Sequence, residues 1–334
     1  MSNPLVVELN KDKFKELCKK EYISVYNQPW FMDAVCESPN NWDVILCLKG
    51  ETIVGALTFF IKRKYGQKYI TMPYRAQYNG VWIKEYSNQS MRKKVENEKE
   101  IMQALLERLE KEVVDRKISF YNQAYSPDIT NWIPLYWKGF RQTTRYTYRV
   151  DGLTAIDKIE SNFSSGKRQN IKKAEKNGIK LKYDLSALEF YTFHKQCLRE
   201  EGKSIKYSYE VFEQIYQVLY EHKAGRVLYA VDSTGAIVDA MFSGMDEKWG
   251  YNWWHAISKE SRRIGASDWL VLEMMKYCAS LGIDGYDFEG SMLPGAEESY
   301  RQFATEQAPY FVIYKNYVKN PILREVINRH FGFN

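Results

Sequence analysis

Val44 to Phe59 reads VILCLKGETIVGALTF, and Val227 to Phe242 reads VLYAVDSTGAIVDAMF. Each is an apolar strand, a tight polar turn and a second strand that opens with Ile-Val. The turns are Lys49-Gly50-Glu51 and Asp232-Ser233-Thr234-Gly235. Strand, turn and strand at this spacing is a hairpin signal. The likeness continues downstream. Leu105 to Lys117 is helix-type and leads into Ile118-Ser-Phe-Tyr-Asn, while Val271 to Gly282 is helix-type and leads into Ile283-Asp-Gly-Tyr-Asp. A supersecondary unit that recurs once per half of the chain predicts two related domains, 1–150 and 151–334. Related domains commonly carry a ligand in the crevice between them.

The bulk numbers fit that reading. The 334 residues are enough for two full cores. The 26 Tyr, 16 Phe and 9 Trp favour folded over disordered chain. A net charge of +6 is compatible with an anionic ligand without requiring one. Cys18, Cys36, Cys47, Cys197 and Cys278 are odd in number and lack CxxC spacing, so they are read as reduced thiols of a cytoplasmic protein. The N-terminal residues have no signal-type apolar core, and no apolar run reaches 18 residues. With four His and no spaced Cys/His set, no metal site is expected. No Gly-x-Ser-x-Gly elbow, Walker A loop or dinucleotide fingerprint occurs, which argues against hydrolase, NTPase and dehydrogenase chemistry.

Within each half the pattern alternates helices with short strands. Helices are expected at Phe14–Lys20, from Pro29 to Cys36, and over Glu98–Asp115, where Ile101, Leu105, Leu109 and Val113 recur at i, i+4. The second half adds helices at Thr154–Phe163, Gly166–Asn177, Leu185–Glu200, Tyr209–His222 and Arg262–Leu281. Its strands are expected at Val227–Met245 (a hairpin), Trp249–Ala256, Gly285–Phe288 and Tyr310–Tyr317. The expected class is α/β of the α+β type, with mixed, mostly antiparallel sheets flanked by helices.

This order of elements resembles the acetyltransferase fold of the GNAT superfamily. Tyr136-Trp137-Lys138-Gly139-Phe140 is similar to that fold's closing pattern. Two such domains in one chain resemble the Fem family, the peptidyltransferases that build interpeptide bridges in bacterial peptidoglycan. Four stretches carry the resemblance: Gln28-Pro29-Trp30-Phe31, the helix Lys167 to Gly178 (KRQNIKKAEKNG), Tyr286 to Gly295 (YDFEGSMLPG) and Arg301-Gln302-Phe303-Ala304. The chain departs from the family in having no sustained heptads for a coiled-coil arm. Asp33 stands where the family places a lysine, and Ala304 where it places a glycine. The resemblance implies two GNAT-like acyltransferase domains, a cytoplasmic enzyme of cell-wall synthesis, and aminoacyl-tRNA as a partner.

Three constellations can carry such chemistry. Lys167, Arg168, Lys172, Lys173 and Lys176 concentrate cations on one helix, and Arg168 and Lys172 share a face at i, i+4. Arg168 can grip a phosphate bidentately while Lys167 and Lys172 add point charge; the same run also suits an ordinary solvated face. Asp287 and Glu289 alternate with Phe288 at a strand end, so both carboxylates are expected on one side, beside the Gly290-Ser291 turn. They can take a proton from an attacking amine or hold its ammonium, or simply end a solvated strand. Arg262-x-x-Gly265-x-Ser267 is similar to the loop on which GNAT enzymes bind the pyrophosphate of coenzyme A, while Ser267 also fits a helix N-cap. Among the aromatics, Trp30, Tyr74, Tyr78, Tyr251 and Trp254 are candidate groove-lining residues that can stack a base or sugar. Strand alternation puts Tyr251 and Trp253 on one face and Asn252 and Trp254 on the other. His255 has no evident carboxylate partner in the sequence.

An already activated acyl donor needs no covalent enzyme intermediate and no cofactor beyond the donor itself, aminoacyl-tRNA or acyl-CoA. Positioning alone can supply about 7–11 kcal/mol, and a donor aimed at the tetrahedral oxyanion roughly 3 kcal/mol more. Arg301, or a backbone N–H beside a splayed strand, is suited to the second part. Three functions remain open: an aminoacyl transferase acting on a cell-wall precursor amine, an acyl-CoA N-acyltransferase, and a non-catalytic anion-binding protein.

Overall fold

The computed structural model describes residues 4–64, 66–290, 292–303, 305–330 and 332. The chain forms two compact units, 1–145 with 309–334, and 146–308.

Unit 1 begins with β1 (Leu5–Leu9), α1 (Lys11–Leu17) and α2 (Pro29–Val35). The hairpin read from the sequence follows as β2 (Trp42–Lys49) and β3 (Thr52–Lys64), then β4 (Gln67–Thr71) and β5 (Val81–Ile83). The long helix is α3 (Met91–Arg116), followed by β6 (Ile118–Ala124) and α4 (Ile133–Trp137). Helix α3 starts ahead of Glu98, where its apolar stripe led us to expect it. Ser90 caps it by accepting from the Lys93 N–H, and the intervening MRKKVEN run consists largely of good helix formers.

The chain then enters unit 2 with β7 (Arg141–Asp151), α5 (Ile156–Ser161), α6 (Ser165–Lys176) and β8 (Lys180–Tyr183). Next come α7 (Ala187–Glu200), α8 (Tyr209–Glu221), β9 (Gly225–Val231), β10 (Ile237–Met245) and β11 (Trp249–Ile257). Helices α9 (Lys259–Ile264) and α10 (Ala266–Ser280) precede β12 (Gly285–Asp287) and α11 (Pro294–Arg301). The helix expected over Arg262–Leu281 is thus two helices, because Gly265 between them sits at φ +80° and turns the chain. The last strand, β13 (Glu306–Asn316), and α12 (Pro321–His330) close the chain.

Strand order demonstrates the duplication. Unit 1 reads β1-β2-β3-β4-β6-β13, with β5 attached to β3; unit 2 reads β8-β9-β10-β11-β12-β7. In both, the first four strands are antiparallel, the fourth and fifth are parallel, and the sixth returns antiparallel. The sixth position differs from the expected split at 150/151. Strand β7 comes from the middle of the chain and pairs Arg149–Asp151 with β12 of unit 2, whereas β13 pairs Val312–Asn316 with β6 of unit 1. Ile313 is accordingly fully buried among Tyr121, Leu135 and Leu109, in the core of unit 1. A linear boundary cannot describe that exchange of closing strands.

Each unit has its own core. In unit 1, Ile101, Leu105, Leu109 and Val113 of α3 pack on Ile45, Leu57 and Phe59. In unit 2, α10 contributes Leu270, Met274 and Cys278 against Met241, Tyr286 and Phe288. The opposite face of that sheet carries an aromatic cluster in which Phe212 meets Phe190, Phe242 and Trp254 at centroid distances of 5.3, 5.9 and 5.1 Å. All five cysteines are free, and burial pushes the thiols of Cys18, Cys197 and Cys278 up to about 12. Among the described residues no helix is long and apolar enough to cross a membrane.

Candidate active site

The site of interest in unit 2 lies where two parallel strands part. Strand β11 pairs with β12 only over Trp249–Tyr251 against Gly285–Asp287, and then runs on to Ile257. On its other side β11 carries a bulge. Phe242 faces Trp254 and Gly244 faces Tyr251, so Asn252 and Trp253 together oppose Ser243. An extra residue in one strand reverses the alternation beyond it. Trp254 therefore stacks on Phe242 at 5.6 Å and 10°, and the Trp253 ring lies within 3 Å of the point a Cβ on Gly244 would occupy. Both tryptophans thus lie over one face of β10, contrary to simple alternation. Trp254 is core, and Tyr251 is buried with its hydroxyl donating to Asp246 Oδ2 at 2.7 Å. The bulge leaves Asn252 Oδ1 buried without a hydrogen-bond partner beside the point where the strands part.

The two acids separate. Asp287 is 0% exposed. Its Oδ1 accepts from the Thr147 hydroxyl at 2.5 Å and from the Glu289 N–H at 2.8 Å, and its Oδ2 from Arg149 Nε at 2.8 Å. Arg149 in turn lies 4.3 Å over the Trp249 ring. Strand β12 ends at Asp287, and Glu289 is left-handed at φ +59°, so the period of two that predicted a shared side fails there. Gly290 follows at φ +54°, where a Cβ would stand 2.2 Å from the Tyr146 carbonyl. Ser291 lies outside the described residues. Arg301, at the end of α11, is 57% exposed and pairs with Glu297 at 3.2 Å.

Helix α6 forms where expected, capped by Ser164, which accepts from the Lys167 N–H at 3.2 Å. Its cations have divided roles. Lys167 is buried, with Nζ 2.7 Å from Asp268, 2.9 Å from Ser299 Oγ and 4.2 Å over the Phe303 ring. It ties α6 to α10 and α11. Arg168 donates to the carbonyls of Ser161 and Phe163, at the end of α5. Lys172, Lys173 and Lys176 remain on the exposed face.

The Arg262-x-x-Gly265-x-Ser267 segment lies between β11 and the body of α10, but it is helical rather than an open loop: Arg262 is on α9, Ser267 is on α10, and Gly265 joins them. Arg262 pairs with Glu201 at the end of α7. Gly265 packs so closely on α6 that a Cβ would stand 2.2 Å from the Asn170 carbonyl oxygen, and Asn170 Nδ2 also donates to Asp268. That side of the loop is filled by protein. Ser267 is not the N-cap; Gly265 is.

In unit 1 the equivalent parting, between β4 and β6, is occupied by the unit's own chain. The Asn79 N–H bonds the Ala124 carbonyl at 2.8 Å, and its side chain bonds Gln123 and Asn27. Tyr78 is buried between Tyr26 and Tyr310, at 6.0 and 5.1 Å, so it is core; Tyr74, on the same 73–80 loop, is 38% exposed. Trp30, on α2, is half-buried with its ring edge-on to Phe31. A recess of about 810 Å³ near α1, lined by Lys13, Lys15, Lys20, Glu16, Glu21 and Lys84 among others, contains none of the expected site residues.

A model of the acetyltransferase (GNAT) domain matches residues 161–302, the segment that holds the parting strands. No curated protein sequence matches the chain. Among solved structures the chain is similar to FemX, with a TM-score of 0.72 at 14% identity over 97% of this chain and 99% of that one. It is also similar to a tandem GNAT protein from the clavulanic acid biosynthesis pathway, with a TM-score of 0.52 at 11% identity over 93% and 98%. The fold is therefore shared with FemX and with that tandem GNAT protein, as the element order implied.

The residue that the sequence reading passed over is His255. Its Nε2 lies 2.7 Å from Oδ1 of the fully buried Asp239. The two are sixteen positions apart and meet only because β10 and β11 are paired. The one sequence signal was Asp239 itself, a carboxylate inside an otherwise apolar hairpin strand.

Proposed function

We propose that this chain transfers an activated acyl group to an amine by direct aminolysis, with aminoacyl-tRNA as donor and an amine of a peptidoglycan precursor as acceptor. The observation that carries this reading is the parting of β11 from β12 beside a bulge, inside a GNAT domain. Past Tyr251, β11 has lost its parallel partner, and backbone N–H groups along such an edge suit a developing oxyanion, which one well-placed donor stabilises by roughly 3 kcal/mol. Holding donor and amine together along that edge supplies the larger share, about 7–11 kcal/mol.

The side chains divide the remaining work. Asp287, enclosed by Thr147, Arg149 and the Glu289 N–H, is a positioning residue that fixes the end of β12. Glu289, half-buried and just past that end, is the carboxylate placed to hold an ammonium. Lys172, Lys173 and Lys176 are the exposed cations of α6, suited to an anionic donor. The tRNA donor is favoured over acyl-CoA because the Gly265 side of the expected pyrophosphate loop is filled by the Asn170 carbonyl. The test is product formation from radiolabelled aminoacyl-tRNA and a lysine-containing muropeptide, run beside acetyl-CoA with the same acceptor. Transfer from tRNA alone supports the reading. Transfer from acetyl-CoA alone replaces it with the acyl-CoA alternative, and transfer from neither leaves an anion-binding protein.

A further inference from the structure

Two residues past the bulge, β11 presents His255 opposite Met241 of β10. Asp239, on β10, has no exposed surface, and both of its oxygens are engaged: Oδ1 by His255 Nε2 at 2.7 Å and Oδ2 by the Ser261 hydroxyl of α9. A carboxylate accepts and does not donate, so Nε2 carries a proton, and in the neutral ring Nδ1 is the acceptor. Among the described residues Nδ1 makes no hydrogen bond, and 14% of the side chain remains exposed. Burying a carboxylate is expensive unless it is fully bonded. Here that cost maintains one imidazole in one tautomer, on the strand that β12 abandons, with its second nitrogen open.

We infer that His255, oriented by Asp239 and Ser261, is the general base that takes a proton from the acceptor ammonium. This rests on the acyl-transfer reading above. An amine nucleophile is protonated at neutral pH and must lose a proton before it attacks. The imidazole Nδ1 accepts that proton. The nitrogen lone pair then forms the C–N bond, and the C–O bond of an aminoacyl ester breaks. The leaving oxygen takes the second proton lost by the nitrogen, and the imidazolium returns its own to water. The reaction thus releases one proton overall.

Asp239 faces the imidazole from β10. Glu200 and Glu201, at the end of α7, and Arg262, on α9, act on the Cys197 thiol that Asp239 also reaches, and Arg262 is paired with Glu201. The Cys197 thiol of α7 is pushed up to about 12 by burial and then by Asp239, so it adds no charge. Asp239 is the charged group bonded to the ring.

The test is steady-state transfer by this 334-residue chain, using labelled aminoacyl-tRNA and the muropeptide, for wild type, H255Q and H255A. The expected result is a fall in kcat of about 10²–10⁴-fold for H255Q with KM little changed. The acid limb of the pH profile is lost with it, and imidazole added to H255A restores part of the rate. H255Q within twofold of wild type overturns the inference and leaves the function standing. A lowered Tm with an unchanged pH profile and no response to imidazole assigns His255 a structural role and overturns it equally. No transfer by wild type overturns both. Two-dimensional ¹⁵N NMR of the unmutated protein's imidazole provides a readout without any substrate: the Nε2–H tautomer is required, and an Nδ1–H tautomer refutes the base role.

Discussion

At the scale of single residues, burial separates structure from chemistry more sharply than residue type does. Lys167, Arg168, Asp287 and Trp254 were all plausible ligand contacts by type, yet each is engaged by its own unit. Asp287 illustrates the energetics. It shares a buried ion pair with Arg149, which is itself only 10% exposed. Removing one charge of such a pair strands the other, at a cost of roughly 3–5 kcal/mol. Asp287→Asn is therefore expected to lower unfolding free energy by about 3 kcal/mol, read by urea denaturation, whether or not activity survives. Gly265 is a second case. Alanine there combines a φ of +80° with a Cβ 2.2 Å from the Asn170 oxygen. The left-handed conformation alone costs roughly 1–2 kcal/mol, so Gly265→Ala is expected to cost more than about 2 kcal/mol and to loosen α6 from α10, seen as faster amide exchange in α6.

At the scale of elements, capping is local and fixes where a helix begins, and Ser90 starts α3 well ahead of its apolar stripe. Ser186 begins α7 with a full capping box: its hydroxyl accepts from the Glu189 N–H, and the Glu189 carboxylate accepts from the Ser186 N–H. Ser186→Ala is expected to cost about 1 kcal/mol, measured by thermal or urea unfolding. Hydrogen bonds from the Ser186 side chain, and then its backbone, hold the Glu189 carboxyl below its usual range. A lowered folded-state pKa stabilises above the unfolded value, about 4.3, and that contribution disappears as pH falls through the folded value. Glu189→Ala is thus expected to destabilise at pH 7 and to match wild type in strong acid. The bulge in β11 was not legible. Nothing in WGYNWWHAI marks where an extra residue enters, because a bulge is a property of the pairing with β10.

At the scale of the whole molecule, the exchange of closing strands governs what can fold alone. A fragment of residues 1–150 carries β7 without β12 and lacks β13, leaving β6 with an unpaired edge and the unit 1 core without Ile313. Such edges aggregate. The fragment is expected to show poor amide dispersion by NMR and to self-associate by sedimentation, while a polypeptide joining 1–145 to 309–334 through a flexible linker is expected to fold better. Native folding of 1–150 would refute the pairing.

The sequence by itself determined the duplicated hairpin, the α+β class and the position of the basic helix. These follow from periods of two and 3.6 and from capping, which act within a few residues. Only tertiary structure decided that Arg149 closes over Asp287, that Gly265 sits against Asn170, that β7 and β13 trade places, and that Asp239 finds His255. Each of these joins residues from separate strands or helices, and the free energy that fixes them comes from desolvation and pairing, which exist only once distant segments have packed together.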